Sequence, residues 1–309
     1  MLYIVAYWHV YAHFDPAVSL PALLGGSLSR GVLGSFFFIS AYFLGSRRIA
    51  SVKDALLFYK KRLMRFYPLY FLSCTSLLLV HALWHVDYIS SFRQYVLSLF
   101  GLSCIFTPAP KTIWFVCMLI PFYLVTPLIN LFDKTWQKVS GCLVIFLLMC
   151  ALNLTGLSLD SRLALYFPIY SAGLILGSRI KIDERLHPIR LLGGLLIFFA
   201  GMGIYKHTEL FPLHYVVMAG FILFIIEAGK LLTRSALSAR LFSFISYGSM
   251  AAYLFHRQFF GVPLVIMDKF PIWFFYLILL PLFLAICWVV QFVYDRVINA
   301  LAGAEKAAN

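Results

Sequence analysis

Apolar residues run in long blocks along the chain, separated by short polar segments that hold most of the charge. The blocks occupy 1–14, 31–45, 66–86, 113–131, 139–155, 164–178, 190–205, 213–231, 241–260 and 272–294. A helix of about 20 residues crosses the hydrocarbon of a bilayer, and most blocks approach that length. Lipid offers no partner to backbone N–H and C=O groups, so each block must satisfy its own as a helix. Runs such as Phe221 to Ile226 do not alternate in polarity, which excludes the strands of a membrane barrel. The stretch 95–106 is apolar but too short to cross and is closed by Pro108 and Pro110; it is expected as a re-entrant or interfacial piece. The fold class expected is all-α: a polytopic membrane protein with about ten transmembrane helices, residues 1–309 forming one integral-membrane domain.

Charge placement orients these helices. With the N-terminus inside and the spans alternating, segments 46–65, 132–138, 179–190, 230–240 and the C-terminal end hold 18 of the 25 Lys and Arg residues. The outside segments hold 7, so the positive-inside rule puts both termini in the cytoplasm. Counting 95–106 as a further span would put the basic segment 179–190 outside. The setting expected is the inner or plasma membrane. Composition agrees: 62% of residues are hydrophobic and 12% charged, against about 25% charged in a soluble domain. A net charge of +13 would suggest nucleic acid on a soluble protein, but the basic residues here flank the spans, so the partner expected is the lipid bilayer and no nucleic acid. Six scattered cysteines without a CxxC pair read as packing residues.

The first block is too short to cross, since 14 residues at about 1.5 Å each fall short of ~30 Å. No charged region precedes it and no small-residue cleavage site follows, so it is not a signal peptide. The expectation is that the natural protein begins upstream and that Met1 is an internal methionine.

Ionisable groups within spans are costly and call for a reason. His9 and His13 lie four apart, on one helical face. A pair of packed interfacial histidines would look the same; the functional alternative is a general base, because imidazole titrates near neutrality. The run Lys60, Lys61, Arg62, Leu63, Met64, Arg65 precedes Phe66, Tyr67 and Pro68 where the third span leaves the cytoplasm. Such a cluster commonly sets topology and meets anionic lipid. Arg62 and Arg65 are nonetheless three apart, and two guanidinium forks on one face suit a phosphate or pyrophosphate.

Taken in order, these features resemble the membrane-bound acyltransferase-3 family, whose members move acyl groups from acyl-CoA to hydroxyls, mostly on sugars. The resemblance runs over nearly the whole chain. It comprises Tyr7-Trp8-His9, the Gly34-Ser35-Phe36-Phe37-Phe38-Ile39-Ser40-Ala41-Tyr42-Phe43 run, Arg62-x-x-Arg65 with Pro68, Trp114-Phe115 with Phe122-Tyr123 and Pro127, and Ser249, Tyr253 and His256. No single motif is strong; five in order are. The family's basic residue about ten positions before the first histidine has no counterpart here, in keeping with an upstream start. Leu119 and Ile120 stand where members with an attached hydrolase-like domain carry acidic residues, which points to the stand-alone O-acetyltransferase branch. Ala41 replaces a usual Gly.

The resemblance implies His9 as the catalytic base. It implies Arg62, Arg65 and Lys61, with Lys60, as holders of the phosphates of acyl-CoA, here acetyl-CoA as co-substrate with no bound cofactor. Trp114 and Tyr123 would line the donor path, and His13 and His256 would face a carbohydrate acceptor. No metal is expected: His81 and His85, followed by Asp87, have no further ligand at fitting spacing. Glu227 and Lys230 fit a structural ion pair, and Asp160 and Arg162 sit in a short outer turn within reach of an acceptor. The function expected is transfer of an acyl group, acetyl in the first instance, to a hydroxyl of an exported polysaccharide or its lipid-linked precursor. The rival is a transporter or flippase for lipid-linked sugars or small solutes, although the paired interrupted helices typical of transporters are not evident. A non-catalytic membrane partner is the third reading.

Overall fold

Within the described residues the apolar blocks all fold as helix, and no strand occurs among them. The structure, a computed structural model, describes residues 19–85, 89, 91–106, 109–110, 113–154, 159–183, 185–267 and 271–308; the block 1–14, with His9 and His13, lies outside them. The helices are α1 (Ser19–Gly45), α2 (Val52–Trp84), α3 (Phe92–Leu99), α4 (Ser103–Phe106), α5 (Trp114–Asn130), α6 (Thr135–Leu154), α7 (Ser161–Gly177), α8 (Pro188–Thr208), α9 (Leu213–Leu232), α10 (Ala236–Tyr247) and α11 (Ser249–Met267). A last rod joins α12 (Ile272–Phe274), a π turn (Phe275–Leu279) and α13 (Leu280–Ala308). Six described segments are long and apolar enough to cross a membrane: Gly26–Gly45, α2, α6, α8, α9 and Phe275–Ala300. Helix α5 is apolar but only 17 residues long.

One block differs from the simple expectation, and the short stretch 95–106 follows it. Block 241–260 is not one rod: the chain breaks at Gly248, between α10, none of whose residues is buried, and α11. A Cβ at Gly248 would stand 3.3 Å from the backbone of Cys287 and Trp288, so the break lies close against α13. The stretch 95–106 forms parts of α3 and α4, too short to cross, folded against α2 and α5. There the buried Tyr70 hydroxyl donates to the Ser98 carbonyl at 2.5 Å and lies 3.0 Å from Cys117 Sγ.

The centre of the bundle is the seam between α1 and α7. Ala41 and Gly45 on α1 face Gly173 and Gly177 on α7, each pair four residues apart, so small residues line both faces. A Cβ at Gly177 would come within 1.9 Å of the Tyr42 carbonyl oxygen, and one at Gly45 within 2.1 Å of that of Leu174. The two backbones are in contact, which in lipid replaces the hydrophobic drive to associate with dispersion over a long line. Helix α5 lies over this seam: Asn130 Nδ2 donates to the Leu44 carbonyl at 2.9 Å, and the Thr126 and Tyr170 hydroxyls are 2.6 Å apart. Helix α11 is tied to α2 by polar groups, with Ser73 Oγ donating to the Leu254 carbonyl at 2.8 Å and Gln258 Nε2 to Ser76 Oγ at 3.0 Å. The outward faces of α6 and α13 are aliphatic and aromatic, from Leu143, Leu147 and Leu148 to Val289 and Val293, as lipid-facing surfaces are.

The helix ends sort into two sets. At one, the basic end, α1, α5, α7 and α9 finish and α2 and α8 begin. The 178–187 connection is pinned there: the Tyr42 hydroxyl donates to the Ile180 carbonyl and accepts from the Ile182 amide. Buried Glu227 pairs with Lys230 at 2.8 Å and accepts the His187 amide, while Lys230 also reaches the Arg185 carbonyl. Asp183 receives the Arg185 amide and the His187 ring, which hold its carboxyl below the usual carboxylate range. The other, the far end, carries the starts of α5 and α7 and the α8–α9 turn.

Gly177→Val is expected to force α1 and α7 apart and to cost about 3 kcal/mol, the upper range for overpacking. Gly193→Ala, at a position with nothing within 4 Å, should change stability by no more than ~1 kcal/mol. Unfolding of both purified variants in detergent, followed by circular dichroism, checks the contrast.

Candidate functional site

The basic run does not project from the bundle as a unit, because helical spacing sorts it. Helix α2 starts at a capping box, with Ser51 Oγ accepting the Asp54 amide and Asp54 Oδ2 accepting the Ala50 amide, and continues unbroken through the run. Phe58, Arg62 and Phe66 recur every fourth residue and so share one stripe. Phe58 and Phe66 are buried and Arg62 is half-buried between them, while Lys60, Lys61 and Arg65 are exposed.

Arg62 is the member of the run that enters the protein. Its guanidinium carbon stands 5.9 Å from the ring centroids of both Phe58 and Tyr123, within cation–π range. Tyr123, from α5, shares a 2.9 Å hydrogen bond with Ser40 Oγ of α1 and packs on Phe66. Arg62, Tyr123 and Ser40 thus bring three of the five sequence motifs to one point. Arg47 and Arg65 lie near enough to repel Arg62, so positive charge gathers here without a carboxylate partner to Arg62 among the described residues.

Trp114 does not join this group. Nine residues before Tyr123 on α5, it stands about 13 Å nearer the far end. Between the two levels the bundle is filled by aromatic rings: the fully buried Phe37 packs on Phe115 at 4.5 Å, Tyr166 at 4.9 Å and Phe122 at 5.2 Å. At the far end the Arg162 guanidinium lies 4.2 Å over the Trp114 ring, held there by both oxygens of Asp160 at 2.8 and 2.5 Å. Trp114 also packs on Tyr166 at 5.8 Å. Trp114, Arg162 and Tyr166 line a cavity of about 360 Å³, shared with Arg30 of α1, Phe211 of the α8–α9 turn and His214 at the start of α9. His256, on α11, is buried, with Nδ1 2.7 Å from the Tyr253 carbonyl; the Tyr253 ring meets Phe115, which packs on Trp114. Along this path two rings, Tyr253 and Phe115, separate His256 from Trp114 at the far-end cavity.

A family model described as an acyltransferase domain matches residues 1–292, nearly the whole length of the chain. The chain belongs to the acyltransferase-3 family. It is accordingly a membrane acyltransferase built of apolar helices. No curated protein and no solved structure matches it.

For this acyltransferase the sequence reading did not single out Arg30 and His214, which are far apart along the chain and carry no motif. Asp160 and Arg162 were legible as an outer-turn pair, but their alignment over Trp114 was not. Of the other groups expected at a site, His9 and His13 lie outside the described residues.

Ser40→Ala and Tyr123→Phe should each lower stability by about 1 kcal/mol, and the double variant by little more than either alone. A double-mutant cycle by detergent unfolding reads that coupling; strict additivity would mean that the hydroxyls do not bond.

Proposed function

We propose that this acyltransferase moves acetyl from acetyl-CoA to a hydroxyl of an exported polysaccharide or its lipid-linked precursor, taking the donor at the basic end. The observation that carries the reading is Arg62 seated among Phe58, Tyr123 and Phe66 with Arg47 and Arg65 beside it. An anionic donor is drawn by clustered charge in a partly dry site more strongly than by surface lysines. The planar fork of Arg62 would meet a phosphate oxygen, and the exposed Arg65, Lys61 and Lys60 would add steering charge around it. The basic end is then cytoplasmic, in keeping with the positive-inside rule. The setting is the inner or plasma membrane.

A thioester is already activated, so catalysis needs a base and alignment more than further activation. In the step proposed, His9 takes the proton of the acceptor hydroxyl as its oxygen attacks the thioester carbonyl. The C–S bond breaks, the C–O bond forms, and the proton passes to the departing thiolate, giving the acetyl ester and free CoA thiol. The aromatic layer around Phe37 keeps water from the thioester. Trp114 belongs in this reading to the acceptor side, nearer the cavity than the donor.

Purified protein supplied with acetyl-CoA and acceptor saccharide should release CoA thiol, read by a thiol reagent, and His9→Ala should abolish release in folded protein. Arg62→Ala should raise KM for acetyl-CoA about tenfold, equivalent to roughly 1.4 kcal/mol, with KM for acceptor unchanged. Solute uptake without thiol release would overturn the reading in favour of transport.

A further inference from the structure

We infer that the far-end cavity is a binding site for an anionic saccharide, one carrying a carboxylate or a phosphate; the inference rests on the acyltransferase reading and narrows its acceptor. The cavity measures about 360 Å³, toward the lower end of the roughly 300–1,000 Å³ of small-molecule sites, so it admits a sugar unit or two. Its wall has the two components that such a ligand needs. Trp114 and Tyr166 present aromatic surface, their planes inclined at 32° to each other, against which the C–H face of a pyranose packs.

The second component is positive charge left over after internal pairing. Arg162 is fixed by a bidentate bond to Asp160 and by Trp114, and its side chain is about one-third exposed, so the guanidinium is pre-oriented yet reachable. Arg30 meets no carboxylate among the described residues; its guanidinium lies 5.5 Å over the Tyr205 ring and borders the same cavity. Tyr205 in turn packs on buried His214 at 4.4 Å, the rings inclined at 47°, which fixes the platform beneath Arg30. Two arginines facing one cavity with one neighbouring carboxylate leave a positive excess beside apolar rings, where charge is poorly screened. A neutral sugar would leave that excess uncompensated. A carboxylate or phosphate would meet it with charge-assisted hydrogen bonds, and a preset guanidinium gives up little entropy in forming them.

The test is binding to the purified full chain in detergent, without acetyl-CoA. The probes are cellobiouronic acid, neutral cellobiose, glucose 1-phosphate and glucose. The acidic disaccharide, the sugar phosphate or both should bind about tenfold tighter than the neutral counterpart. Preference for the carboxylate alone assigns an acidic polysaccharide unit, and preference for the phosphate alone assigns a phosphate-bearing precursor. Arg30→Gln should abolish the preference and Arg30→Lys should restore most of it, while CoA binding stays at the wild-type level in both variants, which also reports on folding. Equal binding of neutral and anionic probes, or an Arg30→Gln variant that keeps the preference, overturns the inference. Because no donor is present, the result is independent of thiol release. Anion preference without any CoA release in turnover assays would refute acyl transfer while leaving the anion site in place.

Discussion

Backbone contact between α1 and α7 is the constraint on which the rest of the arrangement depends. Where Gly177 and Gly45 each lie against a carbonyl of the other helix, no side chain larger than hydrogen fits, so the seam has a defined register. That register sets the height of Ser40 on α1 and of Tyr166 and Tyr170 on α7. Helix α5, bonded to both neighbours through Asn130 and Thr126, then has little freedom to slide. Tyr123 and Trp114 are carried to their two levels as a consequence.

This geometry divides the protein into two chemically unlike regions on one axis. Around Arg62, charge is inserted between the rings of Phe58 and Tyr123. Around Trp114, charge is displayed on rings at the edge of a cavity. The layer between them is packed from the rings of Phe37, Phe115, Phe122 and Tyr166. The same layer keeps both regions rigid, because rings at 4.5 to 5.2 Å from Phe37 lock one another's rotamers.

Ionic groups at the two ends follow different rules. Glu227 and Lys230 are buried together and take up the amide of His187 and the carbonyl of Arg185, so the pair fastens the 178–187 connection rather than greeting a ligand. Asp160 and Arg162 are also paired, but the guanidinium remains partly exposed beside a cavity. Sequence spacing alone draws no distinction between them, as both are short-range acid–base pairs. Burial and the neighbouring aromatic ring make the difference.

The amino-acid sequence by itself determined that the chain is helical and membrane-embedded, where its apolar blocks lie, and which family it joins. These properties follow from local composition and motif order: lipid enforces helix on any long apolar run, and Arg62, Tyr123 and Ser40 each sit in a motif. The break at Gly248 was not legible, since the apolar run 241–260 continues through it and the close approach to α13 is a long-range contact. Nor was the partition of the basic run, in which Arg62 turns inward and Arg65 outward; the spacing put both on neighbouring positions, and only the packing of Phe58 and Phe66 decided between them. Tertiary structure alone joined Arg30, Trp114, Arg162 and His214 around one cavity, because residues so distant in the chain meet only once the α1–α7 register and the α8–α9 turn are set.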